Sequence, residues 1–185
     1  MRIEPRRNAL VWYAWLLTLL CGLPLAASEL PAAVRADAPA LRIHSSAVMR
    51  RFGFKVYTAR LWTDERGYQA QGSYALDLEY ALDVKADTLV DTSIAAMREQ
   101  GHRDEALLAR WSRAMATVFP NVRKGDRLIG LARPGVEARF YSAQGYIASI
   151  RDPAFVAAFF GIWLNADTSA PKMRARLLSG EPPRL

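Results

Sequence analysis

The chain has 185 residues, 51% of them hydrophobic and 23% charged, with 11 Gly and 10 Pro. This ordinary globular composition leaves room for one sizeable core and excludes collagen, low-complexity disorder and a multi-domain assembly. The 25 Lys and Arg against 18 Asp and Glu give a net charge of +7, a balance that would suit a nucleic-acid partner were it not for the first residues.

Those residues read as an export signal. Arg2, Arg6 and Arg7 precede an uncharged run from Ala9 to Ala27, whose strongly apolar part, Ala9 to Leu20, is short for a bilayer-spanning helix. Gly22 and Pro24 break it, and Ala26-Ala27-Ser28 offers the small residues that a signal peptidase accommodates, so residues 1–28 are expected to be a signal peptide cleaved before Glu29. An uncleaved anchor, a lipoprotein using Cys21 and a twin-arginine signal at Arg6-Arg7 are the alternatives. Against them stand the breakers, the bulky Leu20 before Cys21 and the lack of a twin-arginine context. Cleavage would remove three Arg and one Glu, lowering the charge from +7 to +5, and would leave no stable membrane span. The location expected is periplasmic or secreted, without a nucleic-acid partner. Cys21 is the only cysteine, so the mature domain forms no disulfide, as an oxidising compartment permits.

Residues 29–40, rich in Ala and Pro, read as a flexible lead-in, and the domain is expected over 41–180 with a polar tail over 181–185. A short strand near Leu41 to Val48 is followed by a second from Phe52 to Trp62. Tyr74, Leu76, Leu78, Tyr80, Leu82 and Val84 alternate with Ala75, Asp77, Glu79, Ala81 and Asp83, a strand with one core face and one wet face. The period then turns helical. Asp87 caps a helix carrying Leu89, Val90, Ile94 and Met97 on one face, with Gly101 as its terminator. A second helix carries Leu107, Leu108, Trp111, Met115 and Val118, closed by Pro120. Three short strands follow between Asp126 and Ile150, with turns at Arg133-Pro134-Gly135 and Ser142 to Gly145. Asp152-Pro153 opens the most apolar helix of the mature chain, with Phe155, Val156, Phe159, Phe160 and Trp163, and Asp167 or Ser169 caps a last helix through Leu178.

Strands, two helices, three strands and two helices make an α+β fold, an antiparallel sheet with helices packed on one face and room for an apolar ligand between the layers. His44 and His102 have no partners at zinc-site spacing, and there is no nucleophile elbow, phosphate loop or dinucleotide fingerprint. No metal and no cofactor are expected.

Three stretches carry a resemblance: Val48 to Trp62 (VMRRFGFKVYTARLW), Phe119 to Asp126 (FPNVRKGD) and Phe159 to Pro171 (FFGIWLNADTSAP). In order and spacing they resemble the chalcone isomerase-like family in its bacterial, exported branch, over roughly residues 41 to 180. The resemblance implies an open-faced β-sandwich with a ligand cleft between sheet and helices. In the family's catalytic plant members an arginine stabilises the enolate formed as a phenolate adds to an enone, and here that arginine falls on Arg50. Tyr57 falls at the strand threonine, Leu89 near the catalytic tyrosine, Ala96 near the asparagine and Lys172 near the C-terminal polar residue, so the helper groups are largely missing. Other members bind fatty acids without catalysis, the arginine and a tyrosine holding the carboxylate.

The expectation is therefore an exported binder of a small apolar acid, with Arg50, Tyr57, Phe159 and Trp163 as ligand-binding residues. The alternative is an isomerase, an intramolecular lyase acting on an enone, with Arg50 and Tyr57 catalytic. Arg50 and Arg51 alternate, so one of the two points to solvent. Tyr57 either donates to a ligand or packs in the strand, and Phe159, Phe160 and Trp163 are either core or pocket lining. A partner-binding scaffold with no ligand would fill the cleft with its own aromatic side chains.

Overall fold

The computed structural model describes residues 29–181; the signal peptide expected over 1–28 lies outside them. Six strands form one antiparallel sheet in the order of the chain: β1 (Arg42–Arg51), β2 (Phe54–Thr63), β3 (Tyr74–Tyr80), β4 (Arg127–Arg133), β5 (Glu137–Ser142) and β6 (Gly145–Ile150). Short connections make this meander, except between β3 and β4, where α2 (Ala86–Glu99) and α3 (Glu105–Ala116) intervene; α4 (Pro153–Leu164) and α5 (Pro171–Leu178) follow β6. The α+β sheet backed by helices is the one that the periodicity predicts.

Side chains of alternate residues decide the layering. Ala59 and Leu61 of β2, Tyr74, Leu76, Leu78 and Tyr80 of β3, and Leu128 and Phe140 beyond them share one core with Met97, Trp111, Met115, Phe155 and Phe160 of the helices. Helix α4 lies close on the sheet because β4 has Gly130 beneath it: a Cβ there would stand 3.0 Å from the Phe160 ring. α4 is apolar almost all round, as a helix buried among other elements must be.

The opposite face of the sheet differs from expectation. Residues 29–40, read from sequence as a flexible lead-in, instead carry α1 (Ala32–Asp37), whose Val34 packs with Leu30, Leu41, Trp62, Ile129, Leu131 and Tyr141. The alternate residues of β3 are therefore not wet: Ala75 and Asp77 are fully buried. The Asp77 carboxylate is compensated by Arg127, which donates from Nε at 3.1 Å and Nη2 at 2.7 Å, and by Arg60 at 3.4 Å. Pairing of this kind is what lets a carboxylate sit without water.

Local signals were displaced in three further places. Phe52 and Gly53 form the turn between β1 and β2 rather than the start of a strand, with φ of 50° and 82°. Asp87 lies in the first turn of α2, and the Ala86 N–H at the helix start donates at 2.8 Å to Oδ1 of Asn121, a residue far along the chain. Helix α5 begins at Pro171 after Ala170, with neither Asp167 nor Ser169 capping it.

Candidate functional site

A cavity of about 630 Å³ lies between the sheet and helices α2 and α4. Tyr57, Leu78, Tyr80 and Leu128 form its sheet wall, and Thr88, Leu89, Thr92 and Ala96 line it from α2. Phe119, Phe159, Ile162 and Trp163 close the inner end, while Arg51, Phe52, Phe54 and Leu82 surround the outer end. Exposure of Phe52 at 88% and Phe54 at 75% marks that outer end as a mouth in solvent.

Each wall follows from local structure. Tyr57 stands on the same face of β2 as the buried Ala59 and Leu61, so its ring enters the helix side of the sheet. It meets Tyr80 of β3, its register partner, edge-on at 5.9 Å between ring centroids. The Trp163 indole N–H donates to the Tyr57 hydroxyl oxygen at 3.0 Å, linking α4 to β2. Because that oxygen accepts from Trp163, the hydroxyl's own proton is left for another acceptor. Burial pushes the Tyr57 phenol up to about 12, partly offset by the Trp163 bond, so at neutral pH it is a donor and not a base. Burial, with the neighbouring Tyr57, raises Tyr80 as well.

Phe159 belongs to both of the roles considered for it. It is 5% exposed and meets Phe119, Phe140, Phe155, Phe160 and Trp163 with centroids 5.3–5.8 Å apart, so it is core, while one side forms the inner wall of the cavity. Phe160 is not in that wall; it packs on Gly130 and Tyr74.

Three of the four residues expected from sequence, Tyr57, Phe159 and Trp163, thus come together. Arg50 does not join them. It is exposed outside the cavity and donates to the Gly53 carbonyl at 3.3 Å, whereas Arg51 lines the mouth with its guanidinium 5.6 Å from the Phe52 ring centroid. The reason is alternation in β1: Ala47 and Met49 pack on the helix-side core, and two-residue periodicity sends Arg51 to that face and Arg50 to the other. Lys85 and Asp83 also line the cavity, and Asp83 Oδ1 accepts from the Lys124 backbone N–H at 2.8 Å. The aromatic mouth at Phe52 and Phe54 and the α2 hydroxyls of Thr88 and Thr92 were missed from sequence. Their signal was present, since Thr88 and Thr92 are four apart and share a helix face with Leu89 and Ala96 nearby.

An antiparallel sheet carrying helices over one face, with a mostly apolar cleft lined by Tyr57 and Tyr80 between the layers, makes an open-faced sandwich. Over residues 24–179 the sequence matches the family described as chalcone isomerase-like, and the chain belongs to that family. Among solved structures the fold is similar to that of a fatty-acid binding protein from Arabidopsis thaliana. The TM-score is 0.58 at 9% sequence identity, with 75% of this chain and 87% of that chain covered. At that identity the likeness carries the fold alone. No curated protein matches the sequence.

Proposed function

We propose that this chain is an exported binder of a small apolar acid, which lies along the cavity between the sheet and helices α2 and α4. The observation that carries the reading is the cavity itself: about 630 Å³ of mostly apolar space with a cation, Arg51, at the mouth and a protonated phenol, Tyr57, in the wall. A volume of that order suits a medium-sized ligand. In β1 Arg51 lies two residues beyond Met49, the register partner of Tyr57, so a carboxylate between Arg51 and Tyr57 has a cation and a hydroxyl donor within about 7 Å along the strand. The apolar body then extends toward Phe119 and Phe159. A fixed guanidinium and a neutral phenol both donate, which is what a carboxylate requires.

Two points favour binding over isomerisation or a ligand-free scaffold. Leu89 and Ala96, the positions matched by resemblance to the enzyme's tyrosine and asparagine, both line the cavity and bring no polar group to it. A scaffold would have the cleft packed shut, and the cleft is open. That the structural neighbour is a fatty-acid binding protein accords with this reading. Export rests on the leader-like pattern of residues 1–28.

The test is equilibrium binding of straight-chain and aromatic carboxylates, with the matching alcohols as neutral controls. Arg51→Ala should weaken carboxylate binding roughly tenfold or more, the usual worth of a charge-assisted hydrogen bond. Arg50→Ala should leave it unchanged, and Tyr57→Phe should weaken it less than Arg51→Ala. Equal affinity of Arg51→Ala and the parent, or alcohols binding as tightly as acids, would overturn the anchor.

A further inference from the structure

We propose that the β1–β2 hairpin tip is a membrane-docking element, which seats the mouth of the cavity on an anionic phospholipid bilayer. Among the described residues six large apolar side chains are exposed, and three of them, Phe52, Phe54 and Leu82, border this one mouth. A scattering of single exposed apolar residues needs no account, but a cluster at one opening does.

Phe52 costs the fold something. It is 88% exposed, so it adds nothing to the core, and its φ of 50° puts a bulky side chain in the left-handed region, where a hairpin turn favours Asn, Asp or Gly. A strained backbone that holds a phenylalanine out into water points to a use outside the fold.

The partner follows from the charge around the two rings. From Val48 to Val56 the chain carries Arg50, Arg51 and Lys55 and no acidic residue. Arg50 and Lys55 are exposed register partners across the hairpin, and the Arg51 guanidinium lies against the Phe52 ring. Asp83 is an acid at the same cavity, where it is engaged by the Lys124 backbone N–H. Aromatic rings projecting beyond a collar of cations match a bilayer interface, where rings enter the headgroup region and cations meet anionic lipid. A bilayer seated there lies directly against the opening, so an apolar acid would pass between lipid and cavity without crossing water. That purpose rests on the ligand reading above; the docking does not.

The experiment uses the full chain with vesicles of phosphatidylcholine alone and of phosphatidylcholine containing one-third phosphatidylglycerol. Since residues 9–27 are themselves uncharged, the decisive readout is local: an environment-sensitive nitrobenzoxadiazole label on Phe54→Cys, with Cys21→Ser removing the only native thiol. The label should brighten and shift to the blue with the anionic vesicles and change little with the neutral ones. In flotation, Phe52→Ser with Phe54→Ser should lower the vesicle-bound fraction of the unlabelled chain roughly tenfold. Arg50→Gln with Lys55→Gln should weaken binding to anionic vesicles by about fivefold per cation while leaving acid binding in solution intact. A label that does not respond to vesicles with which the chain floats, or a double-serine chain that floats like its parent, overturns the proposal. The two readings fail separately: a chain that docks but takes no acid loses the ligand reading alone. One that takes acid in solution while the label stays unchanged loses the docking alone.

Discussion

Asp152 ties together two helices, α3 and α4, with one carboxylate. Its Oδ1 accepts the Ala154 and Phe155 N–H groups at 3.0 and 3.1 Å, capping α4, while Oδ2 accepts the Trp111 indole N–H at 2.9 Å and Arg110 at 3.0 Å from α3. Burial pushes the carboxyl up, but the Trp111, backbone and Arg110 donors outweigh it and hold it below its ordinary range. Asp152→Ala therefore loses a cap and leaves the indole N–H of Trp111, itself 1% exposed, without a partner. The expected cost is about 2 kcal/mol or more of unfolding free energy in urea titration, and a loss under about half a kcal/mol would show that water replaces the carboxylate. The cap was legible in sequence, because Asp-Pro before an apolar run is a local signal. The Trp111 bond was not, since it joins residues 41 apart. The same distinction explains the cavity residues. Tyr57, Phe159 and Trp163 lie in runs whose aromatic content announces them, but choosing between Arg50 and Arg51 needs the strand's phase. That phase was obscured by Val48, which is 46% exposed, beside Ala47, which is 7% exposed; hydrophobicity alone would have assigned the two faces the other way.

At the scale of elements, the β1–β2 hairpin carries a cost that can be measured. Both turn residues have positive φ, and only Gly53 adopts that freely. Phe52→Asn should raise stability by about 0.5–1 kcal/mol, since the side chain gives up no core contact and the backbone is relieved. A loss of stability on that change, read from the denaturant midpoint, would mean that the ring over Arg51 holds the hairpin together and would weaken the case that Phe52 is kept for docking. Helix α1 shows why element reading from sequence stops where it does. A helix of six residues gives no amphipathic period, and such a short helix is not stable alone; it forms because Val34 finds the outer sheet face. Likewise the start of α2 is satisfied by Asn121 from the loop before β4, a partner that no local rule could supply.

Across the whole molecule, covering the sheet on both faces removes tyrosines from water on each side of it. Tyr57, Tyr74 and Tyr80 face the helix layer and Tyr141 faces α1. Burial raises all four phenols above their ordinary value of 10.0, Tyr57 to about 12 and the others further. Each therefore keeps its proton in the folded chain after it has been lost from the unfolded one. Above pH 10 the unfolded state binds fewer protons than the folded state, so stability must fall as pH rises. The contribution is whole below pH 10 and is lost progressively toward and beyond 12, with a limiting slope of about 1.4 kcal/mol per pH unit for each such group. Urea titrations from pH 8 to 11 should show a plateau followed by a steep decline. Tyr80→Phe, which removes one ionisable group whose hydroxyl makes no hydrogen bond among the described residues, should make the decline shallower. A stability that stays level from pH 9 to 11 would mean that water reaches these phenols, and with them the cavity wall that Tyr57 and Tyr80 form. The neutral donor assigned to Tyr57 would then have to be reconsidered together with the pH curve, because both follow from the same burial.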